Sequence, residues 1–217
     1  MACGEEHAFR NPVLSLLDEN CHTYLFRGKL PQYDDQFSYD ELTKQFNVYL
    51  SQSGMKLSPD YYLLCISLLN CSDAKERKIE CDWFKSNPDK GCLWNYPLFG
   101  SLINPRCLAP GLRILFLRND PDGIRSLIGQ IRSIVKGSEN SEKDVVIYLH
   151  CRAGKDRTGE AAACYMMQYQ GYSFQQAVDL CKQIAGRKLR GPSVNAMRWH
   201  AYYLRDICHF QTIGCID

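Results

Sequence analysis

One cysteine and three cations lie close together in VVIYLHCRAGKDRTGEAAACYMM, the stretch 145–167. Cys151 is followed within six residues by Arg152, Lys155 and Arg157. The apolar run before the cysteine is typical of a buried strand, and the small residues after it are typical of a helix. A turn from strand to helix aims backbone N–H groups at one point, where the helix N-terminus adds partial positive charge. The stretch therefore predicts a site for a tetrahedral oxyanion.

The cysteine in this loop has the surroundings of a nucleophile. Gly154 permits the unusual backbone angles that an anion-binding loop needs. The guanidinium of Arg157 can bind two phosphate oxygens at once, which an ammonium group cannot do. The same positive field favours the thiolate of Cys151 over the thiol. The alternative, a buried cysteine beside a solvated loop, is disfavoured because nucleophile, glycine and arginine coincide at one turn.

These residues resemble the signature of the cysteine-dependent protein tyrosine and dual-specificity phosphatases, H-C-x5-R-[ST]. His150, Cys151, Arg157 and Thr158 all match it. The resemblance implies that Cys151 forms a phosphocysteine while Arg157 and the loop amides stabilise the phosphoryl oxygens. It also implies that Thr158 donates a hydrogen bond to the sulfur and that His150 helps to tune the thiolate. No cofactor and no metal ion are implied.

The loop HCRAGKDRT is more narrowly similar to the H-C-x-x-G-K-x-R-[TA] loops of phosphatases that act on phosphoinositides. Arg152, Ala153, Gly154, Lys155 and Asp156 are accordingly predicted to bind substrate. Lys155 on the pocket floor would bind a second phosphate, unless it faces solvent. The Asp156 carboxylate would pair with Lys155, with Arg152 or with another arginine, Arg187.

A proton donor for the leaving group is expected on a neighbouring loop. The resemblance implies an aspartate roughly thirty residues before the cysteine, and Asp120 and Asp122 in RNDPDG lie at that spacing. The loop lacks the Trp-Pro-Asp of tyrosine-specific members. Asp120 is preferred, since a residue before the helix can swing. Either aspartate is equally suited to a structural role at the start of the following helix.

Three further residues are weaker candidates. Arg27 in LFRGKLP resembles an arginine that supports the phosphate loop from behind, although a surface position fits as well. Arg187 ends a helix, where a cation suits the dipole whether or not it binds substrate. Asn195 is the one amide at a distance comparable to the water-positioning glutamine of tyrosine-specific relatives.

The composition limits the remaining possibilities. The chain has 217 residues and a net charge of +2, which argues against a nucleic-acid partner. Its twelve cysteines include no C-x-x-C pair, so a zinc ribbon is disfavoured. Free thiols in a reducing, cytoplasmic compartment are favoured over a disulfide framework, because the chain can bury a core. No signal peptide or membrane span is predicted, but signal-less secretion and peripheral membrane contact remain open.

The elements that must position the loop follow from the apolar periodicity. We predict one domain over 1–217, with an α/β fold in which helices flank a central mixed sheet, as in dual-specificity phosphatases, and with a helical C-terminal half. The region 71–110 reads as loops or an insertion. Predicted strands are 22–31, 61–70, 112–120 and 144–150, and predicted helices are 39–52, 124–135, 158–170, 173–186 and 191–210.

The function predicted from these residues is hydrolysis of phosphate monoesters on phosphotyrosine, phosphoserine or phosphothreonine, and on phosphoinositides. An inositol polyphosphate or phosphoinositide phosphatase with little activity on proteins is one alternative. A phosphate-binding pseudophosphatase or scaffold is another, and it would require the proton donor to be missing. A rhodanese-like sulfur transferase or an arsenate reductase shares the thiolate loop but is disfavoured by the full H-C-x5-R-T motif.

Overall fold

The computed structural model of the protein describes residues 11–120, 123–137 and 143–216. A five-stranded sheet forms its centre, in the order β1-β2-β7-β5-β6. β1 is antiparallel to β2, and the other neighbours are parallel. The sheet strands are β1 (Ser15–Asn20), β2 (Thr23–Lys29), β5 (Tyr62–Ser67), β6 (Gly91–Asn95) and β7 (Val145–Cys151). A separate ribbon pairs β3 (Gln32–Tyr33) with β4 (Gln36–Phe37).

Helices cover both faces of the sheet. α1 (Tyr39–Ser51) and α2 (Ala74–Ser86) pack on one face. The other face and the layer beyond it hold α3 (Pro110–Leu117), α4 (Ile124–Gly137), α5 (Asp156–Tyr169), α6 (Phe174–Ala185) and α7 (Gly191–Asp206). In the part of the chain that the structure describes, no helix is long and apolar enough to cross a membrane.

The central strand β7 divides its side chains between two cores. Val146 and Tyr148 pack with α1 and α2, whereas Ile147 and Leu149 pack with α4 to α7. This alternation follows from the two-residue period of a strand. It places the ring of His150 on the α2 side of the sheet and the thiol of Cys151 on the opposite side.

The predicted fold class is confirmed: the sheet is mixed, helices flank it, and the C-terminal half is helical. The helix predicted at 39–52 is α1, and the continuous apolar run at 61–70 contains the buried strand β5. The prediction of loops for the region 71–110 is wrong. It contains α2 and the edge strand β6, and α2 was obscured because its only buried residues are Glu80 and Phe84.

The strand predicted at 112–120 is also wrong, because this segment forms α3 and the turn after it. Pro110 occupies the first helical turn, where its fixed φ and missing N–H are tolerated. The apolar run suggested a strand buried on both faces. In the structure Leu112, Leu115 and Phe116 are exposed. The apolar run is therefore largely a surface of α3 and not a buried strand.

Candidate active site

The predicted oxyanion loop forms where β7 ends and α5 begins. Cys151 is the last residue of β7, and its backbone carbonyl accepts the N–H of Leu30 at 2.9 Å. Its side chain lines a cavity of about 380 Å³, although the residue is only 3% exposed. The cavity is also lined by Arg152, Ala153, Asp156, Arg157, Asp73, Arg187 and Arg190. The nucleophile candidate is therefore sheltered from solvent but open to a small anion.

The backbone of the loop is fixed from behind. Gly154 has a φ of +67°, and a Cβ there would collide with the carbonyl of Gly28 on β2, so only glycine fits. The fully buried Arg27 donates from Nη2 to the Gly154 carbonyl at 2.9 Å and from Nη1 to the Cys181 sulfur at 3.4 Å. Arg27 therefore contacts the loop from behind, at the position that the sequence analysis expected for it.

Arg157 is held by a carboxylate that the sequence analysis missed. Its Nη1 donates to Asp73 Oδ2 at 2.7 Å and to the Leu68 carbonyl at 3.1 Å. Asp73 lies in the turn after β5, where its carboxylate also accepts the backbone N–H of Asn70. Burial alone would raise the pKa of Asp73, but these hydrogen bonds and the charges of Arg157 and Arg152 hold it below its ordinary value. Asp73 is thus an ionised partner that orients the Arg157 guanidinium.

His150 has a buried acidic partner on α2. Its Nε2 lies 3.0 Å from Glu80 Oε1, and both side chains are fully buried. The hydroxyl of Ser67 on β5 donates to the other Glu80 oxygen at 2.8 Å. Cys65 belongs to the same group, whose ligand-type atoms lie within 4.8 Å of one another. Glu80 therefore lies against the ring of the residue next to the nucleophile, and only the fold reveals this pair.

Three carboxylates contact the arginines at the rim. Asp156 accepts both guanidinium nitrogens of Arg187, at 3.1 and 2.6 Å, and the backbone N–H of Arg190 at 2.8 Å. Burial would raise the pKa of Asp156, but these bonds and charges lower it. Arg152 lies 3.2 Å from Glu76 and 4.0 Å from Asp73. Of the pairings predicted for Asp156, the structure forms the one with Arg187.

The remaining loop residues have distinct surroundings. Thr158 is fully buried in the first turn of α5, and its hydroxyl finds no hydrogen-bond partner among the described residues. Ala153 is exposed on the rim of the cavity.

Comparisons with known proteins agree with this geometry. Residues 109–202 match the family model described as dual specificity phosphatase, catalytic domain. A crystal structure of kinase associated phosphatase, with serine replacing its catalytic cysteine, has the same fold: TM-score 0.54, 12% identity, 94% of this chain and 98% of that chain. Residues 109–202 therefore match a dual-specificity phosphatase catalytic domain in sequence, and the fold of the chain is that of dual-specificity phosphatases.

Two more solved structures are similar to this chain. The core catalytic domain of the PP-IP phosphatase SIW14 from S. cerevisiae shares 15% identity, with TM-score 0.46 over 92% of this chain and 90% of that one. PTPMT1 in complex with PI(5)P shares 14%, with TM-score 0.45 over 89% and 97%. No curated protein matches in sequence.

Two residues that were predicted to contact substrate or water, Lys155 and Asn195, do not line the cavity. Lys155 precedes the first turn of α5 and does not line the cavity, whose additional cations are Arg152, Arg187 and Arg190. Asn195 donates to the Ser101 carbonyl at 3.1 Å and accepts from Arg198 at 3.3 Å. The amide of Asn195 therefore ties a surface segment to α7.

Asp120 has the helix-capping role that competed with its prediction as proton donor. Its carboxylate oxygens accept the N–H groups of Arg125 and Ser126 at the start of α4, at 3.3 and 3.1 Å. The Arg125 side chain also lies 3.2 Å from it. Asp120 lines a second cavity rather than that of Cys151. Its role as the acid stays a prediction, and Asp122 lies outside the described residues.

Proposed function

We propose that this protein is a phosphatase that hydrolyses phosphate monoesters through a phosphocysteine on Cys151 and prefers substrates with a second phosphate near the scissile one. The thiolate attacks phosphorus, the bond from phosphorus to the leaving oxygen breaks, and that oxygen takes a proton from a water molecule in the cavity or from the predicted donor, Asp120. Arg157, oriented by Asp73, binds the equatorial oxygens throughout. Water then attacks phosphorus, releasing inorganic phosphate and the thiolate, while the Thr158 hydroxyl stabilises the departing sulfur.

The preference for a second phosphate rests on the arginines around the cavity. Arg157 suffices for the scissile group, yet Arg152, Arg187 and Arg190 line the same cavity. Arg152 and Arg190 are 65% and 79% exposed, and their ion pairs with Glu76 at 3.2 Å and with Asp156 at 3.7 Å face solvent, so both heads can exchange these partners for an incoming ligand. Such a cluster suits a phosphoinositide headgroup or an inositol polyphosphate, because each guanidinium can bind phosphate oxygens bidentately.

The direct test measures phosphate release from phosphotyrosine and phosphoserine peptides, phosphoinositides and inositol phosphates, with a chelator present. Wild type and Cys151→Ser are compared, with Cys107→Ser as an exposed-cysteine control. We expect release from the multiply phosphorylated compounds to exceed that from the peptides and to vanish only in Cys151→Ser. Equal or faster release from the peptides would instead indicate a protein phosphatase of broad specificity.

A second candidate, a phosphate-binding protein with weak turnover, has one observation in its favour. Both carboxylates that line the cavity, Asp73 and Asp156, are engaged by arginines and have lowered pKa values. Ionised carboxylates are poor proton donors at neutral pH. Tight binding of inositol polyphosphate to wild type without phosphate release would support this candidate and contradict catalysis.

A further inference from the structure

One stretch of the chain carries an unusual surface. Residues 96–119, the apolar segment, contain three arginines and no aspartate or glutamate. Seven of the ten exposed large hydrophobic residues in the described ranges belong to it: Phe99, Leu102, Ile103, Leu112, Ile114, Leu115 and Phe116. Scattered exposed apolar residues are ordinary, but a contiguous set marks an interaction surface.

The apolar segment lies beside the phosphate cavity because α7 connects them. The first turn of α7 supplies Pro192 to the cavity of Cys151, and the Pro192 carbonyl accepts the N–H of Ser101 at 2.9 Å. Further along α7, the indole of Trp199 donates to the Ile103 carbonyl at 3.0 Å. Phe116 packs edge-on against that indole, with 6.2 Å between ring centroids.

A groove runs between the apolar segment and α7. It encloses about 580 Å³ and is lined mainly by apolar side chains, among them Ile103, Phe116 and Trp199. Phe99 lines both this groove and the cavity of Cys151. An amphiphilic ligand can therefore place its phosphate on Cys151 and its apolar part against the segment.

The arginines around the groove and the cavity indicate which partner binds there. Arg106 and Arg118 are exposed on the apolar segment, and Arg152 and Arg190 are exposed at the neighbouring cavity. Cations next to apolar side chains are the pattern of a surface that rests on an anionic bilayer. A two-fold contact between copies of the chain would place the same arginines against each other without a carboxylate from this segment.

We infer that the apolar segment docks on an anionic membrane and delivers the cavity of Cys151 to phosphoinositide headgroups in that membrane. This inference rests on the proposed preference for multiply phosphorylated substrates and selects the lipid form over the free inositol phosphate. Leu102 and Leu115 enter the acyl region, while the arginines contact the headgroup layer.

The test substitutes Leu102→Asp and Leu115→Asp together, and uses Val48→Asp on α1 as the matched control. Leu102 and Leu115 are 91% and 62% exposed, and Val48 is 61% exposed, so none of these changes disturbs a core. Co-sedimentation uses phosphatidylcholine vesicles with and without phosphatidylinositol bisphosphate. Turnover is measured on the same vesicles and on a soluble short-chain lipid with the same headgroup.

We expect the double variant to bind and hydrolyse the vesicle lipid about tenfold less or worse, with the short-chain lipid unaffected and Val48→Asp like wild type. Unchanged vesicle binding and turnover would overturn the inference. So would a wild-type dimer that the double variant dissociates, because the segment would then be a contact between copies. If wild type hydrolyses neither lipid, the proposed function fails, and co-sedimentation alone still tests the docking.

Discussion

The two cavities along α7 are built by opposite means. The cavity of Cys151 is small and polar, and its inner arginines are each fixed by a carboxylate or by a backbone carbonyl. The groove beside it is larger and lined mainly by apolar side chains, several of them exposed, with the Asp120–Arg125 ion pair at its edge. Phosphoryl transfer requires atoms placed within a fraction of an ångström, whereas an apolar contact requires only area. Ion pairs are therefore concentrated at the cavity of Cys151, and exposed hydrophobic residues are concentrated at the groove.

The largest effect should come from the nucleophile. Cys151→Ser should lower turnover of every substrate by about 10⁴-fold or more, because an alcohol is a poor nucleophile without a neighbouring base. Binding of vesicles should persist, since the groove is intact. Steady-state kinetics and co-sedimentation of the same sample separate the two regions, and parallel loss of both would show that they are not independent.

The next largest effect is expected from Asp73, the carboxylate that orients Arg157. Asp73→Asn should lower kcat/KM by about 100-fold, because the guanidinium loses its charged partner and small misplacements in a reacting site are costly. The melting temperature should change little, and Asp73→Glu should recover part of the rate. A loss of rate that only follows a loss of stability, with no rescue by glutamate, would make Asp73 a structural residue.

The buried histidine at the floor of the groove, His200, should make the free energy of unfolding depend on pH. His200 is buried there, and burial with the nearby charge of Arg125 lowers its pKa to about 3. The unfolded chain binds a proton at this histidine below its ordinary pKa of about 6.5, and the folded chain does not, so stability falls as the pH drops below that value. Relative to His200→Gln, wild type should lose about 2 kcal/mol between pH 7.5 and pH 5 in denaturant unfolding. If stability changes with pH in the same way for both proteins, water reaches His200 in the folded protein.

The smallest effect on rate is expected at the helix cap. Asp120→Asn should leave kcat within about twofold, because asparagine also caps helices, while the lost pair with Arg125 lowers the unfolding free energy by about 1 kcal/mol or less. A fall in kcat of about 100-fold would instead support Asp120 as the proton donor, the role predicted for it from the sequence.

The sequence was sufficient to predict the phosphate-binding loop but not most of the residues that hold the loop in place. His150 to Thr158 could be assigned because a strand, a glycine turn and a helix follow one another locally. Arg27 was assigned through resemblance alone. Asp73 lies 84 residues from Arg157, and Glu80 reaches His150 across the sheet, so no local pattern links these pairs. The segment 112–120 was misjudged because apolar residues exposed for binding read like apolar residues buried in a sheet.

The most direct test of the central claim compares an inositol bisphosphate with an inositol monophosphate and a phosphotyrosine peptide. It measures kcat/KM for wild type and for Arg152→Ala/Arg190→Ala, with Arg118→Ala, an exposed arginine on the apolar segment, as control. We predict that wild type favours the bisphosphate by about tenfold and that the double variant alone abolishes this preference while keeping its rate on the monophosphate. A wild type that treats all three alike, or a preference that survives without Arg152 and Arg190, would contradict recognition of a second phosphate.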